Sequence, residues 1–333
     1  MMSKLGNSII VLCAVFVLIL GIGFNFVNVK SKNTTRVVLY GGPSGIKAAK
    51  DRIITVNGKA LFVYDTPVNL KRTFEKDPKL TSTPMAYFDF SGKVDIKIKA
   101  PGKKIKSAII RPLSLGIKPT ISGDTIEFVI DKPGSFTIEL NNEIDRAVHL
   151  FANSIETNPP LKDDANVMYF GPGVYKAGSI PVKSNQTVYI AGGAVVYGVI
   201  HAENMDNVTV TGHGILDGGI YDRWTETMIP IDFRHCTNSK INGVIFLNPA
   251  GWTVNTYFCD NVKIDNIKII SARANGDGIS FAPIVPASDY KFDPATGNLV
   301  IIDLASVKAS FVRLEFTANT GANAGQVAEF EIY

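Results

Sequence analysis

Four copies of one short pattern decide the fold: TVYIAGGAV at 187–195, NVTVTGHGI at 207–215, NSKINGVIF at 238–246 and NVKIDNIKI at 261–269. Aligned in this way, every copy has an apolar fourth residue, glycine or asparagine at the sixth position, and an apolar ninth residue. The fourth residues are Ile190, Val210, Ile241 and Ile264. The copies begin about 20 to 30 residues apart, a period at which each unit of a repeat protein buries its apolar face against its neighbours.

The repeated units are short and rich in β-branched residues, and they leave no room for a helix. Their alternation of apolar and polar side chains is that of β-strands. We therefore predict a right-handed parallel β-helix, in which equivalent residues of successive coils stack about 4.8 Å apart. The predicted fold class is all-β: an N-terminal antiparallel β-sandwich, an incomplete parallel β-helix and a short β tail.

The predicted domain organisation has four parts. Residues 1–29 are a signal peptide or N-terminal anchor, 30–157 a β-sandwich, 158–285 the β-helix and 286–333 a tail. The sandwich is indicated by strand-like runs that Gly, Pro, Asn or Asp interrupt about every 8 to 12 residues. The stretch 153–164, with its double proline and charged run, is the predicted linker.

The N-terminal segment predicts export. No charged residue lies between Lys4 and Lys30, and the stretch 9–23 is almost entirely apolar. A cleaved secretory signal and an uncleaved membrane anchor both fit this pattern. Either alternative places the folded part in the extracellular space or cell envelope, with membrane contact only if the segment stays attached.

The charge of the chain gives no indication of a nucleic-acid partner. A net charge of +4 is too small and too dispersed to predict nucleic-acid binding. The basic run IKIKAPGKKIK at 96–106 is interpreted as the solvated face of an edge strand.

Cys236 and Cys259 precede their repeats at equivalent positions, which predicts stacked thiols and disfavours a disulfide. No metal-ligand spacing occurs, so neither a metal nor another cofactor is expected.

An insertion, GGIYDRWTETMIP at 218–230, separates the second and third copies. Insertions in repeat ladders map to loops on one face, commonly the binding face. Counting from the repeat starts places the insertion, PAGWTVN at 249–255 and ARANGDGI at 272–279 on one lateral strip, with Trp252 beside Asn275. The candidate substrate-binding residues of this strip are Arg223, Trp224, Trp252, Asn255 and Asn275. Aromatic rings that stack on sugars, beside polar groups that bind hydroxyls, favour a saccharide groove, although Asn-Gly-Asp-Gly at 275–278 also suits an ordinary turn.

The β-helix stretch resembles the polygalacturonases of glycoside hydrolase family 28. GILDG at 214–218, PAGWTVN followed by NVKIDNIKI, and NGDGI at 275–279 occur in the order of that family. The resemblance implies that Asp277 belongs to a catalytic carboxylate cluster. The family's later motifs, an Asp-Asp pair, a Gly-His-Gly and an Arg-x-Lys, do not follow Asp277. The Gly-His-Gly at 212–214 lies upstream, and we interpret its histidine as structural.

The flanking parts resemble two further families. The leading domain, with AYFDFSG at 86–92, IIRPLSLGI at 109–117 and HLFAN at 149–153, is similar to that of family 49 dextranases. The end of the chain, FVRLEFTANTGANAGQVAEFEIY at 311–333, resembles the closing strands of a discoidin-like (F5/8 type C) carbohydrate-binding domain. The chain thus looks like the front of a glycosidase joined to the back of a binding module.

The resulting hypothesis is an exported polysaccharide glycosidase of the polygalacturonase type, acting on a galacturonan or a neutral glucan, with Asp277 as catalytic carboxylate. Inverting hydrolysis needs a second carboxylate. Offsets place Asp217, Asp260 and Asp265 away from the strip of Asp277, so the partner stays open and the chain could lack activity. A saccharide-binding β-helix without catalysis is the alternative. A β-helix lyase is a third hypothesis, for which the strip offers neither a basic proton acceptor nor an acidic calcium cluster.

Overall fold

The structure is a computed structural model. It describes residues 35–68, 81–222, 225, 229–271, 273 and 276–282. The predicted signal or anchor (1–29), the discoidin-like tail (286–333) and three predicted site residues, Arg223, Trp224 and Asn275, lie outside this set. Among the described residues, no helix has both the length and the apolar character needed to cross a bilayer.

The N-terminal part folds as two packed, mainly antiparallel sheets. Its strands are β1 (Arg36–Leu39), β2 (Ile53–Val56), β3 (Lys59–Leu61), β4 (Tyr64–Val68), β5 (Thr81–Ser91), β6 (Val94–Lys99), β7 (Ala108–Arg111), β8 (Thr120–Ser122), β9 (Thr125–Ile130), β10 (Gly134–Leu140) and β11 (Val148–Ser154). Short 3₁₀ turns occupy Leu113–Leu115 and Ile144–Arg146. One sheet has the order β1-β5-β11-β10-β7 with β4 beside β5, and the other has the order β3-β2-β6-β9-β8. The predicted β-sandwich is confirmed.

The alternating sequence of β6 explains how this core forms. Val94, Ile96 and Ile98 are buried and join a cluster with side chains of both sheets, while the intervening polar residues are exposed. Lys97 pairs with Glu127 on β9 at 2.7 Å. The prediction that this basic run lies on an edge strand is wrong, because β6 is the central strand and is hydrogen-bonded on both sides. Alternation identifies the buried face of a strand and carries no information about its place in the sheet.

The second part is a parallel β-helix, as predicted. Its strands are β12 (Val167–Phe170), β13 (Gly173–Pro181), β14 (Thr187–Ile190), β15 (Ala194–Glu203), β16 (Thr209–Thr211), β17 (Ile215–Asp217), β18 (Ile231–Arg234), β19 (Lys240–Asn242), β20 (Ile245–Leu247), β21 (Val254–Tyr257), β22 (Lys263–Asp265), β23 (Lys268–Ile270) and β24 (Ile279–Ala282). One parallel sheet has the order β12-β14-β16-β19-β22, and the other has the order β23-β20-β17-β15-β18-β21-β24 with β13 beside β15. The connection between Ser154 and Val167 contains the predicted domain boundary, whose exact position stays a prediction.

The register corrects the first half of the first repeat by two residues and confirms its ninth position, where Val195 pairs with Ile215 as aligned. Val210 pairs with Val188, whereas the sequence alignment matched it with Ile190. The first copy therefore begins at Asn185, in line with a ladder of stacked asparagines at the later repeat starts. The Asn207 amide donates to Asn185 Oδ1 at 2.9 Å, and the Asn261 amide donates to Asn238 Oδ1 at 2.6 Å. These four asparagines have φ values of 64°, 57°, 50° and 51° in chain order, a left-handed conformation that asparagine tolerates better than most residues.

The sandwich and the β-helix share an apolar contact surface. Tyr64, Met85 and Tyr87 from the sandwich pack against a row on the β-helix that includes Val195 and Ile215. The Gly193 N–H on the β-helix donates to Tyr87 Oη at 2.9 Å. One sheet face of the β-helix is therefore partly covered by the sandwich, and the remainder of that sheet is where the predicted site lies.

Candidate active site

The candidate site lies where the strand equivalent to β15 is interrupted on each of the next three coils. β15 runs without interruption, but the strands that follow it are split into β17 and β18, β20 and β21, and β23 and β24. The breaks are 218–230, 248–253 and 271–278, which together we call the corner. They correspond to the strip predicted from the repeat offsets, because stacked coils bring equivalent breaks together.

The corner places Trp252 and Asp277 on neighbouring coils. Val254 pairs with Ile279, so the register two residues earlier sets Trp252 beside Asp277. The Thr253 N–H donates to the Asp277 carbonyl at 2.8 Å, as parallel pairing in this register requires. Trp252 is partly exposed and Asp277 is exposed, so both are open to a ligand. The sequence analysis paired Trp252 with Asn275, two residues before its actual neighbour Asp277. The difference arises because the break 271–278 is longer than the break 248–253.

Asn255 has a different setting from the other predicted site residues. It is fully buried, in a row with Asp232 and Ser280 on adjacent strands. Both polar atoms of its amide lack a hydrogen-bond partner in the described part of the chain. A buried amide without partners is costly, by about 1–3 kcal/mol for each polar group. Asn255 thus lies on β21 beside the corner, and because it is buried it presents no surface to a substrate.

Asp217 is a carboxylate directly beside the corner, for which the sequence analysis predicted no role. It is the last residue of β17, directly before the insertion, and its Oδ1 accepts the Gly219 N–H at 2.7 Å. Burial raises the pKa of Asp217 from 3.8 to about 6, although the Gly219 hydrogen bond and the Arg273 charge oppose that rise. Asp217 is in register with Leu247 and Ile270 and not with Trp252 and Asp277, as the offsets predicted, and only the charge of Arg273 connects it to the break that contains Asp277. The available signal was its position at a strand end beside an insertion.

Arg273 fixes the described part of the insertion. Its guanidinium donates to the Gly219 carbonyl at 2.9 Å and also to the Tyr221 carbonyl. The Tyr221 hydroxyl donates to the Tyr197 carbonyl on β15 at 2.8 Å. One cation therefore joins the third break to the first and holds the base of the insertion against the preceding coils. The prediction that Arg223 and Trp224 line the groove concerns residues outside the described set.

Two other carboxylates remain outside the corner, as the offsets predicted. Asp265 is exposed on β22 in the opposite sheet. Asp260 is also exposed, and it forms a bridge with Thr237 before β22 begins. Neither belongs to the strand breaks that carry Trp252 and Asp277.

A second polar cluster, which the sequence did not reveal, connects the β-helix to the sandwich. His213 Nδ1 lies 2.8 Å from Asp89 Oδ2, and the Tyr40 hydroxyl donates to the same oxygen at 2.6 Å. The other oxygen, Asp89 Oδ1, accepts from the Asn153 amide at 3.3 Å. With Glu156, the side chains of Asp89 and His213 bring possible metal-ligating atoms within 4.8 Å of one another. Because both Asp89 oxygens already accept hydrogen bonds, we interpret this cluster as a connection between domains.

The surroundings of His213 support a structural role. Gly212 has a φ of 119°, and a Cβ built there would lie 2.1 Å from the Ile190 carbonyl oxygen. The Gly-His-Gly turn therefore needs glycine for a close backbone approach, and it directs the histidine toward the sandwich.

The cysteines also follow their prediction: Cys236 and Cys259 stack without a disulfide, and the Cys236 N–H donates to Cys259 Sγ at 3.3 Å. Burial raises the pKa of the Cys259 thiol to about 11, so this thiol is unreactive near neutral pH.

Comparison with known proteins identifies the class of fold. No family model matches the chain, and no curated protein matches it either. Dex49A from Penicillium minioluteum is similar in structure, with a TM-score of 0.56, 18% identity, and coverage of 70% of this chain and 60% of that one. The family 28 exopolygalacturonase of Yersinia enterocolitica has a TM-score of 0.29 and 14% identity, and the match covers 66% of this chain and 61% of that one.

The chain therefore shares its fold with Dex49A, and in this chain that fold is a parallel β-helix preceded by a β-sandwich. It spans about 60% of the length of the solved structures that it matches. This similarity concerns the fold alone.

Proposed function

We propose that this protein is an exported glycosidase that hydrolyses a polysaccharide by carboxylate acid–base catalysis at the corner. The observation that carries the proposal is the placement of Trp252 beside Asp277 on adjacent coils, both open to solvent. An aromatic ring next to a carboxylate suits a sugar, because the ring packs against the apolar face of the sugar while the carboxylate acts on its oxygens. The resemblance to families 28 and 49 supports the same chemistry and assigns the catalytic carboxylate to Asp277.

Asp217 is the second carboxylate in our proposal. A general acid has to hold its proton near the working pH, and a pKa of about 6 allows this in mildly acidic solution. Asp217 pairs with Leu247, which in turn pairs with Ile270 on the coil of Asp277. Two coil steps amount to about 10 Å along the helix axis. This axial step alone is larger than the roughly 5 Å between the carboxylates of a retaining enzyme, and our proposal of an inverting reaction rests on that comparison.

The remaining assignments follow the corner. Trp252, Asn275, Arg223 and Trp224 are proposed to contact the sugar, whereas the buried Asn255 is given no contact with it. We propose a galacturonan as the substrate on the resemblance to polygalacturonases, with a neutral glucan as the competing choice. Export and an extracellular or cell-envelope location are proposed from the apolar segment at 1–29.

The test is reducing-end release from polygalacturonate and from dextran by the full chain and by Asp277→Asn. We expect release from one polymer by the native protein, and a loss of at least about 100-fold in the variant. Asp131→Asn, in an exposed turn of the sandwich, is the matched control and should keep full activity. A folded native protein that releases no ends from either polymer would contradict the proposal.

The second candidate function is saccharide binding without catalysis. It is favoured by the absence, after Asp277, of the later catalytic motifs of family 28. Under this alternative the native protein binds polymer and releases no ends, and Asp277→Asn leaves its affinity nearly unchanged. Measuring binding and release on the same samples separates the two functions.

A further inference from the structure

We propose that four aromatic residues form a glycan-binding shelf that extends from the corner across β21 to the turn that follows it. This shelf consists of Trp252, Tyr257, Phe258 and His235, and its occupant is a linear polysaccharide chain. The inference deepens the proposed function and rests on it, because the shelf would hold further sugar units of the polymer that is cleaved at the corner.

The rings of the shelf form an unbroken series. The ring centroids of Trp252 and Tyr257 are 6.2 Å apart, and those of Tyr257 and Phe258 are 6.4 Å apart. Phe258 stacks on His235 at 5.0 Å with an interplanar angle of 14°. Phe258 is 47% exposed and His235 is also exposed. Contiguous exposed aromatic surface on a soluble protein marks an interaction site more often than a chance arrangement.

The backbone under the shelf indicates that these rings are not there for stability. Phe258 has a φ of 54° and His235 a φ of 51°. This left-handed conformation is unusual for a bulky residue such as phenylalanine, for which it costs about 1 kcal/mol or more, whereas histidine adopts it more readily. Glu203, Arg234 and Tyr257 pair in register, so the residues that follow them occupy equivalent positions.

On the preceding coil the equivalent position holds Asn204, with a φ of 55°. Asparagine is a residue that adopts this conformation readily. The turn therefore accepts asparagine, yet two successive coils carry rings there, one of them (Phe258) at a conformational cost, and both rings remain in solvent. Strained residues that expose their side chains are characteristic of functional surfaces.

A polysaccharide fits this surface better than a protein partner does. The shelf begins at Trp252, whose neighbour on the next coil is Asp277, so a polymer lying at the corner continues onto the rings. Asp232 and Arg234 lie on the adjoining strand and pair at 3.0 Å, which places polar groups beside the rings for sugar hydroxyls. Rings tilted by 62° and 65° to their neighbours present a stepped surface, which suits successive tilted sugar units.

The experiment measures polymer binding by affinity electrophoresis in gels that contain dextran or polygalacturonate. The full chain is compared with Phe258→Asn, His235→Asn and Phe258→Tyr. Asparagine suits the left-handed turn, as Asn204 does at the equivalent position. Both asparagine variants should therefore fold, and their unfolding temperatures should be at least as high as that of the native protein. Leu161→Asn, which removes a side chain that is 76% exposed outside the shelf, is the control.

We expect Phe258→Asn to weaken binding of one polymer by about three- to tenfold, the value of one aromatic stacking contact. His235→Asn should weaken it less, and Phe258→Tyr and the control should bind as the native protein does. Equal affinity of the native protein and Phe258→Asn, or no binding of either polymer by the native protein, would overturn the shelf. Ring-dependent binding without reducing-end release would support the shelf while contradicting the proposed hydrolysis.

Discussion

Replacing Asp217 by asparagine should stabilise the protein and at the same time reduce its activity. Asp217 lies beside the corner, and its surroundings oppose its charged form, since burial raises its pKa to about 6. Asparagine has nearly the same shape, and its Oδ1 can still accept the Gly219 N–H. The substitution therefore removes the charge and keeps the contact that fixes the turn.

The size of the effect follows from the pKa of the folded and unfolded chain. The unfolded value is 3.8 and the folded value is about 6. Each unit of difference is worth about 1.4 kcal/mol, so ionised Asp217 costs the native state up to about 3 kcal/mol. Because the folded pKa is the higher one, the native state binds more protons between about pH 4 and pH 6. The free energy of unfolding therefore falls as pH rises through that interval, and the full cost applies above it.

The assay compares the unfolding temperatures of the native protein and Asp217→Asn across this pH range. Near pH 7.5 the variant should unfold roughly 6 to 12 °C higher, and near pH 4 the two should coincide. Reducing-end release should fall by about 100-fold or more, because asparagine cannot donate the proton. Asp131→Asn is the control for a general effect of removing a carboxylate. A variant that is destabilised at pH 7.5 would refute the reasoning and show that the charge of Asp217 helps Arg273 to hold the insertion.

Three further substitutions test the fold. Gly212→Ala should destabilise the protein by more than about 3 kcal/mol or prevent folding, since its Cβ would collide with the Ile190 carbonyl; the yield of soluble protein and chemical unfolding check this. Asn261→Ala should cost about 1–2 kcal/mol in chemical unfolding, through the lost amide bond of the ladder and the left-handed backbone. His213→Ala should cost about 2–4 kcal/mol by leaving Asp89 buried with one donor fewer, while activity per folded molecule is retained.

The sequence predicted the β-helix well because its information is local and repeated. Each unit carries the same alternation, and asparagine recurs at the turn where the backbone is left-handed. The predicted alignment of the first half of the first repeat is two residues off. TVYI at 187–190 contains two β-branched residues, Val188 and Ile190, that fit the apolar position equally well. The asparagine ladder resolves that ambiguity, since Asn185 accepts from the amide of Asn207, the first residue of the next repeat, in the observed register.

The site was less predictable, because it depends on segments that interrupt the repeat. Counting residues from a repeat start assumes equal path lengths, and the breaks at the corner are unequal. The count therefore paired Trp252 with Asn275, although it placed the right segments on one strip. The connection of His213 to Asp89 could not be predicted either, because the two residues belong to different domains and no local pattern relates them.

The rigid ladder and the chemistry of this protein are assigned to different parts of the same coil. Apolar residues on the regular strands pack inward or against the sandwich, and stacked asparagines occupy the turns between strands. The less favourable features lie near strand ends of the same coils: a carboxylate with a raised pKa at Asp217, an unpartnered amide at Asn255, and a ring on left-handed backbone at Phe258. Each of these is a cost that folding alone does not explain. Their concentration on one sheet of the β-helix, around Asp277, is the physical reason for locating the function there.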